Sequence, residues 1–115
     1  MGSDWSVSSP DPIEEIHVAV NRTSPPDYAY GGGSGEPFLP QERLDLADAI
    51  AGFTINSAFV NHLDHVTGSI EVGKYADLVV VDRNLFAQRP EEIHAAKVQL
   101  TLVEGHRVFA AGDLA

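Results

Sequence analysis

The side chains best suited to chemistry are carboxylates and imidazoles at two places in the chain. Asp4 lies in a short polar stretch, and His62, Asp64 and His65 form a second group, whose residue types are common zinc ligands. No third ligand follows at a suitable spacing, so the end of a helix is the main interpretation of this group and a metal site the lesser alternative. The remaining histidines are dispersed: His17, His94 and His106.

A glycine-rich stretch, Gly31 to Gly35, raises the question of a phosphate-binding loop. Such a loop follows an apolar strand and ends in lysine and serine or threonine, and this stretch has neither feature. Because prolines flank it, residues 21–40 are predicted to be a long flexible connection. Its aromatic residues Tyr28, Tyr30 and Phe38 are predicted to be exposed.

Two helices are predicted to position these groups. Asp11 is a suitable N-cap and Pro12 a suitable first residue for a short amphipathic helix. Apolar residues recur at helical spacing from about Leu46 to Val60 and predict a second helix. The inner stripe of that helix, including Phe53, is predicted to pack on the strand that forms the centre of the core.

That strand is predicted at Leu78–Val81. The apolar run is unbroken and too short for a helix, which indicates a strand covered on both faces. The polar turn before it contains Gly68 and Gly73, which permit positive φ, and Asp77, which can accept hydrogen bonds from backbone amides. The alternating segment Val98–Val103, followed by a short turn, predicts a hairpin.

Composition restricts the possible partners and compartments. The chain has 115 residues, 17 acidic and 7 basic, giving a net charge of -10 with no cluster of lysine and arginine. Nucleic acids and anionic membranes are therefore not expected as partners. Cysteine is absent, which excludes disulfides and thiolate metal sites. This absence leaves the compartment open, with the cytoplasm as the preferred expectation. The sequence shows no apolar run of transmembrane length and no signal peptide.

Three motifs resemble the amidohydrolase superfamily, in the branch that includes N-substituted formamide deformylases. They are Gly-Ser-Asp-Trp at residues 2–5, Thr-x-Asn-x-Ala at residues 54–58, and Gly-Ser-Ile-Glu-x-Gly-Lys-x-Ala-Asp-Leu-Val-Val at residues 68–80. They occur in the family's order, and the resemblance extends from Gly2 to Phe109.

The resemblance implies an α+β fragment of a larger enzyme. Residues 1–64 would be the terminal part of a (β/α)₈ barrel, with the end of its eighth strand and its last helices. Residues 65–115 would be the C-terminal strands of a small composite β-sandwich domain. A complete barrel needs roughly 250 residues, so the chain is expected to be a C-terminal portion without the family's metal-binding histidines.

By position, the resemblance assigns to Asp4 both a catalytic and a metal-binding role. In the family this aspartate lies beside or bound to a catalytic divalent metal, expected to be zinc, and takes a proton from the attacking water. The implied function is metal-dependent hydrolysis of non-peptide C–N bonds in a small amide-like substrate. No cofactor is expected in this portion alone. The resemblance also makes Tyr28, Tyr30 and Phe38 candidates for a lid over the substrate.

The alternative is a non-catalytic, truncated module that folds by self-association. In complete enzymes of the family the last strands join others from elsewhere in the chain to complete the sandwich. Without those strands, sheet edges and helix faces would be exposed. A homo-oligomer is therefore expected, in which two copies cover each other's exposed surfaces.

Overall fold

The structure is a computed structural model that describes residues 2–29 and 35–112. The chain divides into two compact units, which are described separately below. The first comprises Met1–Phe53 and Leu85–Ala95, and the second comprises Thr54–Asn84 and Ala96–Ala115. Helices and an antiparallel sheet are both present, which confirms the α+β class. The division into barrel and sandwich parts at residues 64 and 65 concerns the complete enzyme and stays a prediction.

Helix α1, Pro12–Asn21, begins as the sequence predicts. The Oδ1 atom of Asp11 accepts a hydrogen bond from the backbone N of Ile13 at 2.8 Å, and Pro12 occupies the first turn. The helix ends at Asn21, and Arg22 caps it: its φ of 57° is left-handed and its backbone N donates to the carbonyl of Val18. Both ends of α1 are therefore fixed by local hydrogen bonds.

The described residues of the first unit also form helix α2, Leu46–Phe53, and three 3₁₀ helices. The 3₁₀ helices are Pro40–Glu42, Leu85–Ala87 and Pro90–Ala95. Helix α1 packs against both α2 and the last of these 3₁₀ helices. The buried centre of this packing consists of Ile16, Ala19, Ala49 and Ile93. Among the described residues, no helix has the length and apolar character needed to cross a membrane.

The predicted single helix over residues 46–60 is wrong, because the chain leaves helical geometry at Thr54. This residue has φ −122° and ψ −101°, and helix α3, Ile55–Val60, begins after it in the second unit. Phe53 packs against the buried centre of the first unit, which corrects its predicted position on the Leu78–Val81 strand. The break divides the apolar stripe between the two units.

The second unit contains a three-stranded antiparallel sheet in the order β1-β2-β3. The strands are β1, Leu78–Val81, β2, Val98–Val103, and β3, His106–Ala110. A two-residue turn joins β2 to β3, and both of its residues have positive φ, 50° at Glu104 and 79° at Gly105. This combination matches the right-handed twist of the strands. The predicted hairpin is confirmed.

Strand β1 is found where the sequence predicts it, but the prediction that both of its faces are covered is wrong. Val79 is 59% exposed and Val80 is 48% exposed. Val79 and Val80 are consecutive in the strand, so their side chains point to opposite faces of the sheet. Both faces are partly open because the described part of this unit contains no second sheet.

The turn before β1 is held by close packing and by a carboxylate. Gly68 has φ +88°, and a Cβ placed on it would lie 2.6 Å from the Cβ of Ala58. The Oδ1 atom of Asp77 accepts from the backbone N of Glu104 at 2.8 Å, and its Oδ2 accepts from Thr67 Oγ1 at 2.7 Å. These bonds lower the pKa of Asp77 and tie the turn to the β2–β3 hairpin.

Candidate functional site

Asp4 lies in a tight turn before helix α1 and is exposed to solvent. Its backbone carbonyl accepts a hydrogen bond from the N of Val7 at 2.9 Å, and its φ of 52° is left-handed. Ser3 Oγ accepts from the backbone N of Trp5 at 3.2 Å, and the indole of Trp5 is exposed. The backbone of this turn is thus bonded within itself, and its carboxylate is accessible.

Hydrogen bonds made by Ser8 and Ser9 connect this turn to the body of the first unit. Ser8 Oγ donates to the carbonyl of Ser3, which joins the two ends of the loop. Ser9 is buried, and its backbone N donates to the hydroxyl of Tyr28 at 3.1 Å. Its Oγ accepts from the N of Asp11, the N-cap of α1, at 3.2 Å. The position of the Asp4 turn is therefore coupled to the start of α1.

A groove of about 410 Å³ lies between this loop and α1. Its walls carry the hydroxyls of Ser3, Ser8 and Tyr28 and the carboxylates of Glu14 and Glu15. Partial burial raises the pKa of Glu15, and a hydrogen bond with Ser3 opposes this shift. The groove offers hydrogen-bond donors and acceptors to a small polar molecule, next to the residue that precedes Asp4.

The described residues do not form a metal site by themselves. Within residues 2–29 and 35–112, no group of three or more histidine, aspartate or glutamate side chains could hold a metal ion. His62 and His65 are exposed and Asp64 is half-buried, and they are not brought together with a further ligand. The metal alternative at this helix end is therefore not supported.

The three aromatic residues of the connection have different outcomes. Phe38 is exposed, as predicted. Tyr28 is half-buried, so its predicted exposure is wrong, because its hydroxyl reaches the backbone of Ser9. Tyr30 lies outside the described residues.

A buried polar cluster joins α1 to the 3₁₀ helix Pro90–Ala95. Asn21 Nδ2 donates to the carbonyl of Pro90 at 2.8 Å and to that of His17 at 3.0 Å. His94 Nδ1 lies 3.5 Å from Asp27 Oδ1, and the rings of His17 and His94 meet edge to face. Burial, followed by repulsion from His94, lowers the pKa of His17 to about 4.

This cluster was missed by the sequence analysis, which treats His17 and His94 as dispersed. The two histidines come from distant parts of the chain, and periodicity gives no information on such pairs. One local signal was present: His17 and Asn21 are four residues apart and share the buried face of α1 with Ile16.

Comparison with known proteins shows that nearly the whole chain matches a single protein family. Residues 1–109 match the family described as "Amidohydrolase family". The chain is 34% identical over 110 residues to the protein LONG AFTER FAR-RED 3 of Arabidopsis thaliana. It is 29% identical over 108 residues to the putative amidohydrolase YtcJ of Bacillus subtilis, and 30% identical over 105 residues to the N-substituted formamide deformylase of Arthrobacter pascens.

These alignments cover 95%, 94% and 91% of this chain but only 17%, 20% and 18% of the respective relatives. The chain therefore spans no more than a fifth of the length of these relatives. No solved structure is significantly similar to it. The family match includes Asp4, the helix break at Thr54 and the turn that contains Gly68. On this match, the chain belongs to the amidohydrolase family.

Proposed function

We propose that this chain is the C-terminal portion of a hydrolase that cleaves non-peptide C–N bonds in small amide-like substrates. The observation that carries the proposal is the family match over residues 1–109, which includes Asp4 in its exposed turn. One relative is named for hydrolysis of this kind, the N-substituted formamide deformylase of Arthrobacter pascens. We further propose a cytoplasmic location, because the chain contains no cysteine.

The proposed role of Asp4 is to accept a proton from the attacking water and to pass it to the leaving nitrogen. A carboxylate performs this transfer when it lies within hydrogen-bond distance of the water and stays ionised between turnovers. The turn supports such a role, because the backbone of Asp4 is occupied by the bond from Val7 while the side chain is exposed. The carboxylate can therefore face a substrate bound by other parts of the enzyme.

Amidohydrolases generally depend on a metal ion, and in the proposed function that ion would be bound by the complete enzyme. The described residues of this chain do not assemble a ligand set for it. In the complete enzyme, Asp4 would be the metal ligand that this chain contributes, and the other ligands would come from the rest of the protein. We accordingly propose that the chain alone does not hydrolyse amides.

The test is a hybrid enzyme in which this chain replaces the matching segment of the Arthrobacter pascens deformylase. Hydrolysis of an N-substituted formamide would be measured for the hybrid and for its Asp4→Asn variant, with added zinc. Loss of a general base lowers kcat/KM by a factor of about 10² to 10⁴. The matched control is Asp48→Asn, which removes an exposed carboxylate on α2 and should leave kcat/KM unchanged. Equal activity of the hybrid with Asp4 and with asparagine would refute the role of Asp4.

A second proposal is that the isolated chain self-associates. The described part of the sheet leaves one edge of β1 and one edge of β3 without a neighbouring strand. Val108 and Phe109 on β3 are also exposed, so pairing along this edge would bury apolar surface. Sedimentation velocity at micromolar concentration should give a dimer, with Val108→Lys shifting it toward monomer. A compact monomer for the unaltered chain would contradict the proposal.

A further inference from the structure

We propose that Tyr28 is the positioning residue for the Asp4 turn, and this inference rests on the function proposed above for Asp4. The Tyr28 hydroxyl accepts the backbone N–H of Ser9 at 3.1 Å, although the two residues are separated by 19 positions in the chain. Ser9 is buried at the point where the Asp4 loop joins α1. The hydroxyl therefore fixes one end of the loop that presents the catalytic carboxylate.

The effect of this bond extends to Asp4 through a short series of hydrogen bonds. Ser8, next to Ser9, donates its hydroxyl to the carbonyl of Ser3, the residue before Asp4. Val7 closes the turn by donating to the carbonyl of Asp4 at 2.9 Å. A shift of Ser9 therefore moves both ends of the loop. Ser8 would move with Ser9, and its hydrogen bond would pass the shift on to Ser3.

Tyr28 is itself held by the interior of the first unit. Its backbone N donates to the carbonyl of Pro25 at 3.2 Å, and Pro25 is among the most fully buried side chains. The neighbouring Asp27 contacts His94 on the 3₁₀ helix Pro90–Ala95 at 3.5 Å. The backbone that carries the Tyr28 ring is thus held at Pro25 and beside Asp27, and Tyr28 also lines the groove beside Ser3.

Replacement of Tyr28 by phenylalanine removes the hydroxyl and keeps the ring. Trp5 is the only tryptophan in the chain and follows Asp4 directly, so its fluorescence anisotropy reports on this turn. In the 115-residue chain, Tyr28→Phe should increase the amplitude of the fast phase in the decay of Trp5 fluorescence anisotropy, because the indole would move more freely. Amide exchange at Ser9 should become about fivefold faster, as expected for loss of one ordinary hydrogen bond. The matched control is Tyr75→Phe, which changes an exposed tyrosine of the second unit.

Two results would overturn the inference. One is that Trp5 anisotropy and Ser9 exchange are unchanged in Tyr28→Phe. The other is that exchange accelerates equally at the Arg22 amide, which donates to Val18 at the end of α1, since that would indicate general loss of stability. A response confined to the loop supports the inference.

The hybrid enzyme separates failure of this inference from failure of the proposed function. Misplacement of a catalytic group by about 1 Å can cost a factor of 10² in rate, so Tyr28→Phe should lower kcat by about tenfold or more with little change in KM. If Asp4→Asn has no effect on the hybrid, the proposed function fails, and the fluorescence result still decides whether Tyr28 orders the turn. If Asp4→Asn abolishes activity and Tyr28→Phe leaves kcat unchanged, the positioning role is wrong.

Discussion

The imidazole rings of His17 and His94 meet edge to face, with centroids 5.1 Å apart and an angle of 88° between their planes. His17 is 2% exposed, and Asn21 joins the helix that carries it to the carbonyl of Pro90. The charged groups near His17 are His94 and Glu91 on the 3₁₀ helix Pro90–Ala95, together with Asp27. These contacts join helix α1 to the 3₁₀ helix, and the lowered pKa of His17 means that the cluster favours the neutral imidazole.

We predict that the chain loses stability as the pH falls through the weakly acidic range. The pKa of His17 is about 4 in the folded state and 6.5 ordinarily, so the unfolded chain takes up a proton first. The charge state of His17 costs no stability well above pH 6.5; as the pH falls below this value the free energy of unfolding decreases, and the loss reaches about 3 kcal/mol at pH 4. Urea denaturation at pH 7.0, 5.5 and 4.5 measures the free energy of unfolding at each pH and so tests this dependence.

The matched variants for this experiment are His17→Gln and His106→Gln. Glutamine at position 17 does not titrate and should flatten the dependence of unfolding free energy on pH. His106 is exposed on β3, and its replacement should leave the dependence as it was. An unchanged slope in His17→Gln would show that another group is responsible.

Ile93→Ala should destabilise the first unit strongly. The side chain is 1% exposed and belongs to the buried centre with Ile16, Ala19 and Ala49. Removal of a buried isoleucine side chain to alanine costs about 2 to 5 kcal/mol, depending on how far the cavity collapses. Ile70→Ala is the control, since Ile70 is 88% exposed and its truncation should change the unfolding free energy by less than about 0.5 kcal/mol. Similar values for the two variants would contradict the packing described for Ile93.

Gly68→Ala should destabilise the second unit more than Gly73→Ala. Both glycines have positive φ, 88° and 97°, so both substitutions cost about 1 kcal/mol or more of backbone strain. Only at Gly68 does the new Cβ meet other atoms, the Cβ of Ala58 at 2.6 Å and the Cα of Ile55 at 3.0 Å. Overpacking adds about 1 to 3 kcal/mol, which thermal unfolding of the two variants would reveal as a difference. Equal effects would mean that α3 can move away from the turn at low cost.

Asp77→Asn should loosen the β2–β3 hairpin turn. Asparagine keeps one acceptor oxygen but loses the charge that strengthens the bonds from the Glu104 backbone and from Thr67. We expect severalfold faster amide exchange at Glu104 and no change at Lys97, whose amide is bonded to Asp82 instead. Faster exchange at both amides would indicate a general loosening of the sheet.

Features determined by neighbouring residues could be predicted from the sequence. The N-cap at Asp11, strand β1 and the hairpin turn at Gly105 each depend on a few adjacent side chains, and all three were found. The break at Thr54 could not be predicted, because the apolar spacing continues through it while tertiary packing divides the stripe between the two units.

In the candidate site, too, features set by adjacent residues could be predicted, and features that depend on distant residues could not. Asp4 was identified by a motif of adjacent residues, and its catalytic role stays a prediction. The bond from Ser9 to Tyr28 and the contact of His17 with His94 join residues far apart in the chain. No periodicity in the sequence reports such pairs, and Tyr28 was expected to be exposed for that reason.

The segment Leu85–Ala95 of the first unit follows β1 of the second unit in the chain. The Asn21 amide donates to the Pro90 carbonyl across 69 positions, so the packing of α1 on the 3₁₀ helix Pro90–Ala95 can form only after Pro90 has been synthesised. At synthesis rates of about 5 to 20 residues per second, the delay between synthesis of Asn21 and of Pro90 is roughly 3 to 14 seconds. During that interval, the apolar face of α1 lacks the contact with Ile93, and because both units are discontinuous in sequence, no single cut in the gene would yield either unit whole.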